Sequence, residues 1–142
     1  MIISRLIFFA VTLSMSVTQC DKQQNVSVEK IEFSTLTRGY QKRITIREDS
    51  VITSVQGRGE DQVQKRITTK AEWDKLVDAV RTIDVSNVSA LQSPSSKRSF
   101  DGAMHSLIRV VTKEGETYEH AFDDEEPHKD LRSFLRLILS ME

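Results

Sequence analysis

Three histidines (His105, His120 and His128), the lone Cys20 and the acidic run FDDEE at 122–126 are the residues of this 142-residue chain best suited to chemistry. Histidine beside carboxylate suggests a metal. If 105–112 and 117–123 form a hairpin whose two-residue turn lies between Lys113 and Glu116, Val111 falls opposite Tyr118, Arg109 opposite His120, Leu107 opposite Phe122 and Asp124 opposite His105. His105 and His120 are then separated by roughly 13 Å at about 3.3 Å per residue, too far for one ion. His105, Asp124 and His128 come closer and form the candidate metal or small-ligand set at that end of the hairpin. The simpler reading puts the histidines at a sheet end and a helix start. FDDEE lacks the alternating ligand spacing of a calcium loop and sits where it complements a helix dipole.

Nucleophiles fare no better. G-x-S-x-G does not occur and the one S-x-x-K, Ser27 to Lys30, lies where the tether meets the first strand, so SPSSKRS at 93–99 offers hydroxyls and cations without a base held by a strained turn. GRGE at 57–60 lacks the spacing of a phosphate-cradling loop and reads as a hairpin loop. No catalytic residue and no cofactor is expected. The remaining feature is LQSPSSKRSFDGAMH, 91–105, where Ser95, Lys97, Arg98, Phe100 and Asp101 make a candidate recognition loop. The plainer alternative is a structured connection with Phe100 tucked into the core and the polar residues solvated.

The elements that would position these residues follow from periodicity. Period-two alternation marks strands at 28–36, 40–48 and 50–56, and a fourth piece after the loop 57–61 puts Val63 and Ile67 on one face. Thr69 followed by Glu72 is a capping box, and Trp73, Leu76, Val77 and Val80 form the apolar stripe of the helix behind it. After a serine-rich connection over 84–105, the hairpin leads to a last helix opened by Pro127 and striped by Leu131, Phe134, Leu135 and Ile138. The order β-β-β(-β)-α-β-β-α predicts an α+β domain: a single antiparallel sheet of about five to six strands with two amphipathic helices packed on one face.

Composition bounds the partners. Twenty basic residues stand against 21 acidic ones, which gives no electrostatic reason to invoke nucleic acid. One cysteine excludes an intramolecular disulfide and any Cys-rich metal site. Arg5 is the only charge before Asp21, and the apolar run Leu6 to Leu13 is too short for a membrane span of roughly 20 residues. It reads as an export signal. Cys20 has no structured electropositive surroundings that would make it a reactive thiolate.

The box Val17-Thr18-Gln19-Cys20, with an apolar stretch before it and DKQQNVSVE behind, resembles a bacterial lipoprotein signal. That resemblance implies a cleaved segment 1–19, a lipidated Cys20 as the new N-terminus, a tether 20–27 and a single domain 28–142 held to a membrane of the cell envelope, inner or outer, facing the periplasm or the outside. The mature region resembles the emfourin-like inhibitors of thermolysin-like metallopeptidases, on TRGY, WDKLVDAV, SFDGAMHSLIRV and TYEHAFDDEEPHKDLRSFLRLI. This implies a non-enzymatic, lipid-anchored envelope protein that binds a protein partner, a peptidase being the class suggested. The alternative is a small-ligand or metal-binding lipoprotein using His105 and Asp124.

Overall fold

In the computed structural model, residues 26–57, 59 and 61–142 are described; the expected export signal over 1–19, Cys20 and the rest of the expected tether up to residue 25 lie outside them. Strands β1 (Val28–Thr37), β2 (Tyr40–Arg47), β3 (Ser50–Gln56) and β4 (Gln62–Ile67) run as an antiparallel meander. Gly39, at φ 72°, closes the first turn, a conformation that glycine adopts without steric cost. Gly57 packs against it so closely that a Cβ there would lie 2.0 Å from the Gly39 carbonyl oxygen.

The hairpin of β5 (His105–Thr112) and β6 (Thr117–Asp123) docks on the other side of β1, giving six strands in the order β4-β3-β2-β1-β5-β6. Alternation then fixes the two faces. Ile31, Phe33, Ile44, Ile46, Val51, Ile108, Val110 and Phe122 point to one side and are buried. Two helices, α1 (Lys70–Thr82) with Trp73, Leu76 and Val80 and α2 (Arg132–Leu139) with Phe134, Leu135 and Ile138, seal that side. Each such side chain removed from water contributes about 1.5–3 kcal/mol before entropy is counted. The opposite face carries a charged row, with Glu32 contacting Lys30 at 3.1 Å and Arg109 at 3.3 Å, and Arg109 reaching Glu119 at 2.7 Å.

The start of α1 is held as its sequence predicts. The Glu72 N–H donates to Thr69 Oγ1 at 3.2 Å, while the Thr69 N–H donates to Glu72 Oε2 at 2.8 Å. Arg66 of β4 adds a fork to the same carboxylate at 3.1 and 3.0 Å and donates to the Met141 carbonyl at 2.8 Å, so one guanidinium joins the sheet edge to both helices. Arg66 and the Thr69 backbone and hydroxyl lower the Glu72 carboxyl to about 2.

Two expectations are corrected. The hairpin turn is a three-residue loop, 113–115: the Thr112 N–H donates to the Glu116 carbonyl at 2.9 Å, the Gly115 N–H donates to the Thr112 carbonyl at 3.0 Å, and Gly115 takes φ 86°. Every pair moves by one, so Val111 faces Thr117, Arg109 faces Glu119, Ile108 faces His120, Ser106 faces Phe122, and His105 faces Asp123. The acidic run does not sit on a helix end, and Pro127 does not open one. Asp123 ends β6 and bridges to Glu126, Pro127 is buried, and a 3-10 turn, Lys129–Leu131, leads into α2.

Candidate recognition site

The connection between α1 and β5 is folded along the outer edge of β6. Its first part, the 3-10 helix Val85–Ala90, buries Val85 and Val88, and Ser89 Oγ accepts the Glu119 N–H at 3.3 Å. Its second part is organised by Asp123, a residue 2% exposed at the end of β6. One carboxylate oxygen accepts from the Ser95 hydroxyl and from the Lys97 N–H at 2.7 Å. The other accepts from the Arg98 N–H at 3.3 Å and from Arg98 Nη1 at 2.7 Å. Burial pushes this carboxyl up, and the four donors override it and hold it well below the usual carboxylate range. Arg98 Nη1 also donates to the Ser95 carbonyl at 3.0 Å and to Ser93 Oγ at 3.2 Å, which closes the loop on itself.

Beyond this anchor the chain makes a tight 3-10 turn, Lys97–Phe100, closed by the Gly102 N–H on the Lys97 carbonyl at 2.9 Å, with Asp101 at φ 56°. The Phe100 ring lies against Gly102, where a Cβ would sit 3.1 Å from a ring carbon, and is 72% exposed. The expectation that Phe100 tucks into the core is overturned: the Asp123 contacts draw in the backbone of 97–98, and the turn that follows carries Phe100 outward. The five loop candidates therefore divide. Ser95 and Arg98 face inward as fasteners, whereas Lys97, Phe100 and Asp101 face solvent. Among the described residues the one ion pair of Asp101, to Arg38 at 3.8 Å, joins side chains that are both more than nine-tenths exposed and contributes little.

The metal candidates are not brought together. His105 is an exposed strand-start residue paired with Asp123. Asp124, at φ 51°, uses Oδ1 to accept the Met104 N–H at 2.9 Å and its own N–H to reach the Met104 carbonyl at 2.9 Å. His128 accepts the Asp130 N–H through Nδ1 at 3.4 Å, as a cap of the turn before α2. Among the described residues no three or more His, Cys, Asp or Glu side chains are grouped to hold an ion.

Two residues that sequence reasoning passed over matter more. Asp123 looked like one member of an acidic run, and nothing in its neighbours distinguishes it. His120 was readable: it alternates with Tyr118 and Phe122 on what proves to be the buried face. It is 2% exposed, stacks on Phe122 at 5.5 Å, accepts the His128 N–H through Nε2 at 3.2 Å and is bonded to the Leu91 backbone. Burial, then the nearby charges of His128 and Arg98, push it below the ordinary histidine value, against the opposing pull of the Leu91 backbone. An open cleft of about 570 Å³, lined by Ser89, Leu91, Gln92, Ser95, Arg98 and His120, lies between this strand and the connection.

Compared with protein-family models, curated proteins and solved structures, the chain matches none. Among the described residues no helix is long and apolar enough to cross a membrane.

Proposed function

We propose that this is a non-enzymatic, lipid-anchored envelope domain that binds another protein through the turn Lys97–Asp101. The observation that carries the reading is Phe100, 72% exposed on a turn whose preceding residues are fastened to a buried carboxylate. A large ring held this way has little conformational freedom left to lose on binding. Phenylalanine and arginine are both enriched at protein interfaces, and exposed Arg38 lies at the same end of the sheet.

Geometry supports the orientation that this function needs. The tether enters β1 at Val28, where the Ser27 carbonyl accepts the Lys113 N–H at 2.8 Å, whereas the recognition turn lies by the other end of that strand, near Arg38. A ten-residue strand spans about 33 Å. A lipid on Cys20 thus leaves Phe100 at the far end of the sheet from the tether's entry, directed into the aqueous compartment. The resemblance to emfourin-like inhibitors makes a thermolysin-like metallopeptidase the first partner to try.

The test has two arms. The mass of the mature N-terminus is expected to show an acylated Cys20; cleavage elsewhere or an intact Met1 overturns the anchor. For binding, the detergent-purified protein is titrated against a thermolysin-like metallopeptidase, and its captures from envelope extract are compared with those of Phe100→Ala. A partner bound by the wild type and weakened about 30-fold by the substitution is expected, an effect of about 2 kcal/mol. Binding indifferent to Phe100 overturns the recognition turn.

A further inference from the structure

The two edges of the sheet are treated differently. The outer edge of β6 is covered by the connection through Ser89 and the buried Val85 and Val88. The outer edge of β4 is bare: among the described residues, its backbone is bonded by β3 alone, apart from the Arg66 guanidinium on the Ile67 carbonyl at 3.0 Å. An open strand edge is a row of unpaired donors and acceptors, ready to pair with another extended segment.

The side chains along this edge say which segment. Val63, Lys65 and Ile67 alternate on the face away from the helices, opposite Ser54, Ile52 and Ser50 of β3. Val63 is 73% and Ile67 80% exposed, two of the four large apolar side chains exposed among the described residues. Lys65 between them is exposed and has no ion-pair partner among the described residues. A second copy is a poor occupant: the antiparallel register that stacks Val63 on the partner's Ile67 sets Lys65 directly against the partner's Lys65, and like charges directly opposite each other are destabilising.

We infer that β4 receives an extended segment of a different protein as a seventh strand, a segment of the pattern apolar-x-acidic-x-apolar. Its acidic residue pairs with Lys65 and its two apolar residues cover Val63 and Ile67. The pattern is symmetric and suits either strand direction. Backbone bonds supply the affinity and these three side chains the selectivity. This surface is separate from the Phe100 turn and stands or falls without it.

The probe is a capped synthetic peptide, TTVTETVTT, and its counterpart TTVTKTVTT, titrated into the full-length protein in detergent, with affinity read by fluorescence anisotropy and the site by amide exchange. The acidic peptide is expected to bind the wild type and to protect amides in 62–66 while leaving those of β6 unchanged. Lys65→Glu is expected to weaken it about fivefold and to bind the lysine peptide in its place. Phe100→Ala is expected to bind as the wild type does. No saturable binding at millimolar peptide, protection elsewhere, affinities unmoved by the charge exchange, or a dimer held through this edge in sedimentation would each overturn the inference.

Discussion

Lowering the pH should destabilise this domain through His120, with a sign and a ceiling that the structure sets. The imidazole is 2% exposed, and Nε2 is occupied as an acceptor of the His128 N–H at 3.2 Å. Protonation turns that acceptor into a second donor aimed at a donor, beside Arg98 and His128, whose charges oppose it. The native ring therefore holds its neutral form to lower pH than the unfolded ring, whose value lies near 6.5. Its contribution is complete above about pH 6.5 and is lost as pH falls through that value, levelling off once the native ring protonates. One proton gives a slope of at most about 1.4 kcal/mol per pH unit, so the loss down to about pH 5 is at most about 2 kcal/mol. For a domain of this size that is about 8 °C in melting temperature. Asp123 and Glu72, whose carboxyls are held low in the native state, add little to the slope in this window because their unfolded counterparts also stay charged down to about pH 5. Denaturant titrations at a series of pH values should show the slope in wild type and a flattened one in His120→Gln, with His105→Gln retaining it. The His128 amide should exchange faster at the acid end. A His120→Gln protein with an undiminished slope would refute the assignment.

Two further substitutions probe the anchor and the cap. Asp123→Asn removes the charge that gathers Ser95, Lys97 and Arg98, so trypsin should cut after Lys97 or Arg98 on the order of ten times faster while circular dichroism stays native; unchanged cleavage would show that the loop is held by something else. Thr69→Ala removes the hydroxyl half of the capping box, leaving the backbone N–H of residue 69 on Glu72, and should cost about 1 kcal/mol in urea denaturation, or about 4 °C; a loss of less than about 0.3 kcal/mol would mean that this backbone bond and Arg66 suffice to fix the start of α1.

The parts of the fold legible in the sequence are those decided by short-range physics. The first meander is joined by short turns, and its alternation places Ile44, Ile46 and Val51 on the buried face as expected. The capping box and the stripe Trp73, Leu76, Val80 announce α1 because all the groups concerned lie within a few turns of one helix. The register of the second hairpin differs by one residue from the expected one, since a left-handed Gly115 suits both the second central position of a primed two-residue turn and the last position of a three-residue loop. The placement of β5 beside β1, pairing Phe33 with Ile108, is a contact between residues far apart in sequence that no local pattern announces. Val63 and Ile67 share a face as expected, yet it is the open one, because β4 turns Gln62, Gln64 and Arg66 toward the helix side.

The site was less legible for the same reason, and Asp123 shows it best. Its four donors come from 25 to 28 residues away in the chain, so its role exists only after the connection has folded back along β6. Until then Asp123 and Asp124 are equivalent letters; afterwards one gathers residues 95–98 and the other closes the Met104 backbone. That division also explains why Phe100 is left outside. Burying its ring would draw residues 97–100 toward the sheet and pull Lys97 and Arg98 off the carboxylate, leaving Asp123 a charge in a site 2% exposed with few donors. An unpaired buried carboxylate costs more than an aromatic ring gains on burial. The polar contact therefore decides the loop's conformation, and the apolar residue is presented to solvent as its consequence.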